Sequence, residues 1–256
     1  MADSTGSGLT TFIQSHLRPG MTVVDVGANV GNVTVAAADV VGDSGRVVAY
    51  EPGHAAAQLL RERCRQRACV EVRQTAVSNV CGHMFFFVDP SKSTSATLFA
   101  TVAAETAERT RVPVCSLDSE MDTLPAVDFM KIDAQGAEGR ILDGARRLLK
   151  RDKPLLIFEL WLPGLRSAGT SADVMLQRLA GLGYHFHPVN AKGAVGNDLR
   201  LRALLDGTLR SAAINVLAHP RRWPSRRWLD VVPPSTCVLP RSRQQLCRPW
   251  VSGVRG

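Results

Sequence analysis

The stretch MTVVDVGANVG, residues 21–31, constrains this chain more than any other part of it. A short apolar run that ends on glycines four residues apart reads as a buried strand stopped by a tight turn. VTVAAADVV follows as a helix, closed by GDSG. A strand, a glycine turn and a helix open a parallel α/β unit, because a strand that continues into a helix can return only by a crossover. RVVAYEP is the second strand, stopped by Pro52 just after Glu51, and AAAQLLRERCRQR is a second amphipathic helix.

The rhythm continues with a strand near Val70–Val72 and then breaks. From GHMFFFVDPSKSTSATLF to RVPVCSLD the chain makes a polar, hairpin-like excursion, after which AVDFMKID is again a buried strand. GAEGRILDGARRLLKR reads as one helix, PLLIFELW as a strand, SADVMLQRLAGLG and YHFHPV as a further helix and strand, and SAAINVLAHP as a last strand. This alternation predicts a mostly parallel sheet with helices on both faces, ligands sitting beyond the carboxyl ends of its strands.

At 256 residues and 45% hydrophobic, the chain can bury one such core. The net charge of +8 suggests nucleic acid until it is divided: residues 1–219 carry 23 Lys+Arg against 22 Asp+Glu, whereas residues 220–256 hold eight Arg and one Asp. We therefore expect a near-neutral domain over 1–219 and a basic, disordered tail over 220–256. The six cysteines form no CxxC pair, which argues against a zinc site and against a redox motif, and no residue is assigned as a metal ligand. No apolar run approaches a membrane span, and a soluble, cytoplasmic protein is expected.

A dinucleotide-binding fingerprint counted from Gly27 would need glycine where Asn29 and Asn32 stand, and no Walker lysine follows. Glu51, 24 residues after Gly27, ends the second strand, where an acid can take both hydroxyls of a ribose. Asn29 keeps the turn, since asparagine tolerates left-handed backbone angles, and adds an amide. Gly27 and Gly31 let the backbone approach a ligand and the helix pack closely, and free helix N–H groups suit a carboxylate. A ribose with an amino-acid carboxylate describes S-adenosylmethionine. Asp25 either orients the loop or accepts from the ligand's ammonium.

PGMTVVDVGANVGNVT, VVAYEP, AVSN, VPVCSLD, VDFMKIDAQGAEGRILDGA and LLIFEL, together spanning about residues 18–160, resemble the FkbM-type S-adenosylmethionine-dependent methyltransferases in order and spacing. The resemblance implies the class I methyltransferase variant of the Rossmann sheet and methylation of a hydroxyl on a small metabolite or sugar. It sets the cofactor against Asp25, Gly27, Ala28, Asn29, Gly31 and Glu51, with the Ala76 backbone near the adenine. The family's KIDxEG acid is replaced here by Gln135, which cannot take a proton at neutral pH.

Methyl transfer to an alcohol needs an aligned oxygen and a base. Asp133, closing the DFMKID strand, is the expected base; Lys131 lies two residues back on the same strand face, where it holds Asp133 ionised, orients substrate, or is simply paired with a helix acid. Glu159 closes the next strand as the alternative acid, and Glu138 favours its own helix N-terminus. His185 and His187 read as edge-strand residues, His54 as exposed at the second helix, and FFF at 85–87 as a buried strand. Two rival readings are an RNA methyltransferase or nucleic-acid binder using the tail's Arg and its Trp223, Trp228 and Trp250, and a non-catalytic cofactor binder, encouraged by Gln135.

Overall fold

A computed structural model describes residues 4–88, 96–99, 107–196 and 213–220. Strand β1 (Thr22–Val26) is buried along its whole length, because it pairs in parallel on both sides. Its neighbours are β2 (Arg46–Tyr50) and β8 (Phe129–Ile132). Beyond β2 lies β3 (Val70–Arg73); beyond β8 lies β9 (Leu155–Leu160), both again parallel. The predicted last strand, β11 (Ile214–Pro220), does not close the edge but inserts antiparallel between β9 and β10 (Tyr184–Val189). The sheet order β10-β11-β9-β8-β1-β2-β3 reverses direction between β1 and β8.

The two-residue period of the strands sorts side chains to two cores. Val23, Phe129, Leu155 and Ile157 face α1 (Ser4–His16) and α2 (Asn32–Val41), against Phe12, Ile13, Ala37 and Val41. Val24, Val26, Met130, Ile132, Leu156 and Phe158 face the other way, where α4 (Glu138–Asp143), α5 (Arg146–Asp152) and α7 (Ala172–Gly181) bring Ile141, Leu148, Leu149 and Leu176. The remaining helices are α3 (His54–Cys64), whose Leu60 and Cys64 pack on Ala28 and Ala49, and α6 (Leu162–Ser167). The expected mostly parallel sheet with helices on both faces is what the chain forms.

The excursion is a second, four-stranded sheet, in the order β4 (Ala76–Val77), β7 (Glu108–Cys115), β5 (Gly82–Val88) and β6 (Ala96–Thr97). The FFF run alternates rather than being buried throughout: Phe86 packs inward, whereas Phe85 is 47% exposed under the Arg109 guanidinium. GAEGRILDGARRLLKR is likewise two helices, not one. Gly144 lies so close to Ser78 that a Cβ would sit 2.2 Å from its carbonyl oxygen, and the Asp118 carboxylate caps α5 by accepting from the N–H groups of Arg147 and Leu148. His185 and His187 do lie on the edge strand β10, stacked against His219 of β11, with His187 Nε2 and His219 Nε2 3.0 Å apart. His54 opens α3 and is exposed. Among the described residues no helix is long and apolar enough to cross a membrane. The predicted tail, from residue 221 on, lies outside the described residues.

Candidate active site at the switch point

Where strand order reverses, the carboxyl ends of β1 and β8 lie side by side, the position at which sheets of this kind take ligands. Two loops meet there. After β1, Gly27 takes φ +73°, Asn29 φ +50° and Gly31 φ +89°, so the expected left-handed asparagine is present. A Cβ on Gly27 would lie 1.8 Å from the Asp133 carbonyl oxygen, and one on Gly31 would lie 2.3 Å from Leu60 Cδ1. The close helix packing expected of these glycines is thus against α3 rather than the helix that follows, and Gly27 adds a contact between the two loops that the sequence does not signal.

Asp25, Glu51, Lys131, Asp133 and Glu159 all fall on the α2 side of the sheet by strand parity. Asp25 is 0% exposed and sits behind the loop. Its Oδ2 accepts from Thr34 Oγ1 at 2.7 Å, and its Oδ1 faces Lys131 Nζ at 3.2 Å. Both contacts brace the loop after β1, the first of the two roles open to Asp25. Lys131, its direct register partner, donates to the carbonyls of Val26 at 3.2 Å and Gly27 at 2.7 Å. Burial pushes the Lys131 ammonium down, but the carboxylates of Asp25 and Asp133 outweigh it and leave its pKa above the ordinary value. The lysine is therefore spent mainly on the glycine loop and pairs with a strand acid, not a helix acid; Asp133 Oδ2 is 4.0 Å away.

Glu51 is also turned into the loop. Its Oε2 accepts from Asn29 N at 2.8 Å and its Oε1 from Gly53 N at 2.7 Å. Burial raises its pKa, while those two N–H donors pull it back down. Ala28 is buried beneath α3, and its N–H, like that of Gly27, donates to the Tyr50 carbonyl. Ala76 is buried in β4, which pairs with β7. Arg63 of α3 braces the loop from outside, donating to Val30 O at 2.6 Å and Asn32 Oδ1 at 2.8 Å. Neither Thr34 nor Arg63 is singled out by sequence reasoning, since each acts across a turn that only the folded loop creates.

The second loop follows β8. Asp133 is its most open acid, with 38% of the side chain exposed. Gln135 takes φ +50°, and its Nε2 lies 3.4 Å from both Asp133 Oδ1 and Glu159 Oε2. Glu138 is fully buried and accepts from Ala134 N at 2.9 Å and Gly136 N at 3.3 Å, so it holds this loop ahead of α4. Burial raises Glu138 to about 7. Burial, then the charges of Asp133 and Glu138, raise Glu159 to about 8. Both carboxyls thus take up and release protons closer to neutral pH than ordinary glutamates, which makes this loop the candidate place for proton transfer.

A model of the methyltransferase FkbM domain matches residues 25–186 of this sequence. The chain belongs to the FkbM methyltransferase family. Its sheet is the class I methyltransferase sheet that the motifs lead one to expect. Among solved structures, an FkbM methyltransferase from Methylobacillus flagellatus is 18% identical with a TM-score of 0.49, over 79% of this chain and 44% of that one. The FkbM chain described here thus spans less than half of that protein. A S-adenosylmethionine-dependent O-methyltransferase from Thermotoga maritima is 12% identical with a TM-score of 0.43, over 86% of this chain and 66% of that one. Fibrillarin from Aeropyrum pernix, with natively bound S-adenosyl-L-methionine, is 11% identical with a TM-score of 0.48, over 84% and 75% respectively. No curated protein matches the chain.

Proposed function

We propose that this FkbM-family chain is an S-adenosylmethionine-dependent methyltransferase acting on a hydroxyl of a small metabolite or sugar. The observation that carries the reading is that the glycine loop, which Glu51 braces and which leads into the uncapped N-terminus of α2, packs directly on the backbone of the partly open Asp133. The residues fit the cofactor. Each Glu51 oxygen accepts one backbone N–H and keeps further acceptor capacity for ribose hydroxyls. The first N–H groups of α2 have no carbonyl one turn behind them and suit a carboxylate. Gly27, Ala28, Asn29 and Gly31 would form the wall between these two, and the Ala76 backbone would lie at the adenine end.

When bound, the sulfonium supplies an electrophilic methyl group, whose bond to sulfur breaks as the bond to the acceptor oxygen forms. The chain's own residues do the rest. Asp133 takes the acceptor's hydroxyl proton, Glu159 lies beside it as the second carboxyl, and the Asp25–Lys131 pair keeps the glycine loop in shape.

A ligand that binds only the folded state stabilises it by ~2.7 kcal/mol at a hundredfold excess over its dissociation constant. S-adenosylmethionine and S-adenosylhomocysteine should raise the melting temperature and NAD should not; a shift from NAD alone overturns the assignment. Glu51→Ala should weaken that binding. The excess of arginine in residues 220–256 favours a second reading, in which the acceptor is RNA. It predicts RNA binding with a steep salt dependence that is lost when 220–256 are deleted, with cofactor binding retained.

A further inference from the structure

Resting on the methyltransferase reading above, we propose that Gln135 is a positioning residue whose side-chain amide bridges Asp133 and Glu159 into one seat for the acceptor hydroxyl, holding the place that a divalent cation would take if position 135 carried an acid. Three carboxyl groups, Asp133, Glu138 and Glu159, influence one another at the ends of β8 and β9. The cation beside them, Lys131, already serves two loop carbonyls and Asp25. Glu138 is turned into its own loop. Asp133 and Glu159 are therefore left facing each other, and the Gln135 Nε2 lies midway, 3.4 Å from an oxygen of each. An amide carries two N–H groups, so it can donate once to each carboxyl without the charge a metal would bring.

Two further features tie position 135 to its side chain. The residue stands at φ +50°, where glycine or asparagine is far easier than glutamine, so the turn itself does not call for it. Its carbonyl accepts from Thr97 Oγ1 at 3.3 Å, which fastens this turn to the second sheet. The donor set carries the cation argument. Among the described residues no group of three or more His, Cys, Asp or Glu is placed to hold a metal ion. Glutamate at 135 would complete a three-carboxylate set of hard oxygen ligands, the kind that Mn²⁺ or Mg²⁺ takes.

The test uses the full chain and needs neither cofactor nor acceptor. Calorimetry and electron paramagnetic resonance with Mn²⁺ should show no site in the wild type at this cluster, one site in Gln135→Glu, and its loss when Glu159→Gln is added. In parallel, carboxyl ¹³C shifts of labelled glutamate, assigned with Glu159→Gln, follow the Glu159 titration. Gln135→Leu removes a donor to the ionised form and should move that titration upward by about half a pH unit to one unit. An unchanged Glu159 titration makes the amide contact incidental and overturns the proposal, as does Mn²⁺ binding by the wild type that Glu159→Gln abolishes. If Gln135→Leu does not fold, a Gln135→Glu protein that folds and binds no Mn²⁺ refutes it alone. Failure of S-adenosylmethionine to bind would instead sink the methyltransferase reading and leave these two readouts untouched.

Discussion

The loop after β1 and the loop after β8 each place a non-glycine residue at φ +50°, Asn29 and Gln135, with a positive-φ glycine close behind. Their charges are met to different degrees. In the first loop Asp25 has Thr34 and the Lys131 ion pair, and Glu51 has the N–H groups of Asn29 and Gly53, one on each oxygen. In the second the cover is thinner. Glu138 takes two backbone N–H groups on Oε1 while its Oε2, among the described residues, has no hydrogen-bond partner, and Glu159 shares a single amide with Asp133. Satisfied polar groups rigidify, whereas crowded buried carboxyls hold protons that chemistry can use. On the proposed function, the first loop is the preformed seat and the second the reactive one.

The largest expected effect therefore comes from the second loop. With an acceptor that the wild type methylates, Asp133→Asn should lower turnover by about 10²–10⁴-fold, the usual worth of a general base, while cofactor affinity stays level. Wild-type turnover in this variant would move the base to Glu159 and remove Asp133 from the contrast.

Next in size is the contact between the loops. Gly27→Ala places a Cβ against the Asp133 carbonyl at a positive φ, and should cost about 2–5 kcal/mol in denaturant unfolding. Gly183→Ala is the control, because Gly183 has φ +89° but no atom within 4 Å of the added Cβ, so only the backbone cost of about 1–2 kcal/mol applies. Equal losses for the two would show that the loops do not pack as tightly as the Gly27 geometry requires.

What the sequence made legible follows from how local each cause is. The βα alternation, the glycine loop and Glu51 are readable because buried runs, turn glycines and Pro52 act within a few residues. The break between α4 and α5 is not. It depends on Ser78 and Asp118, tens of residues upstream, and DGARRL alone looks helical. The insertion of β11 between β9 and β10 is equally hidden, since an apolar strand carries no mark of its neighbours. At the site, the strand-face argument correctly sets Lys131 beside Asp133. It cannot show that parallel register puts Asp25 directly opposite Lys131, which turns the lysine toward the first loop. The role of Gln135 is visible in sequence only as a missing acid; its bridge exists once β9 brings Glu159 alongside.

A smaller effect is set by pH. Glu159 and Glu138 stand at about 8 and about 7 in the folded chain against an ordinary 4.5. The folded state then binds more protons than the unfolded one between these values, so stability must fall as pH rises. The contribution is fully present below about pH 4.5 and lost as pH climbs through 7 to 8. Melting temperatures across pH 5–9 should show the decline, and Glu159→Gln should flatten its upper part. An identical slope in the variant would mean that the second loop is no more strained electrostatically than the first.

The smallest effect separates the two left-handed residues themselves. Glycine at either position removes the Cβ strain and adds unfolded-chain entropy, so Asn29→Gly should change stability by less than about 1 kcal/mol. Because its backbone N–H still donates to Glu51, the seat keeps its shape and only the amide is lost. Losing one hydrogen bond to the ligand should then weaken S-adenosylmethionine binding by about two- to tenfold in calorimetry. Gln135→Gly should do the reverse, leaving cofactor affinity level and shifting the Glu159 titration. If Asn29→Gly binds the cofactor as tightly as the wild type, Asn29 serves only the turn, and position 135 is the one left-handed residue of the pair whose side chain acts in the site.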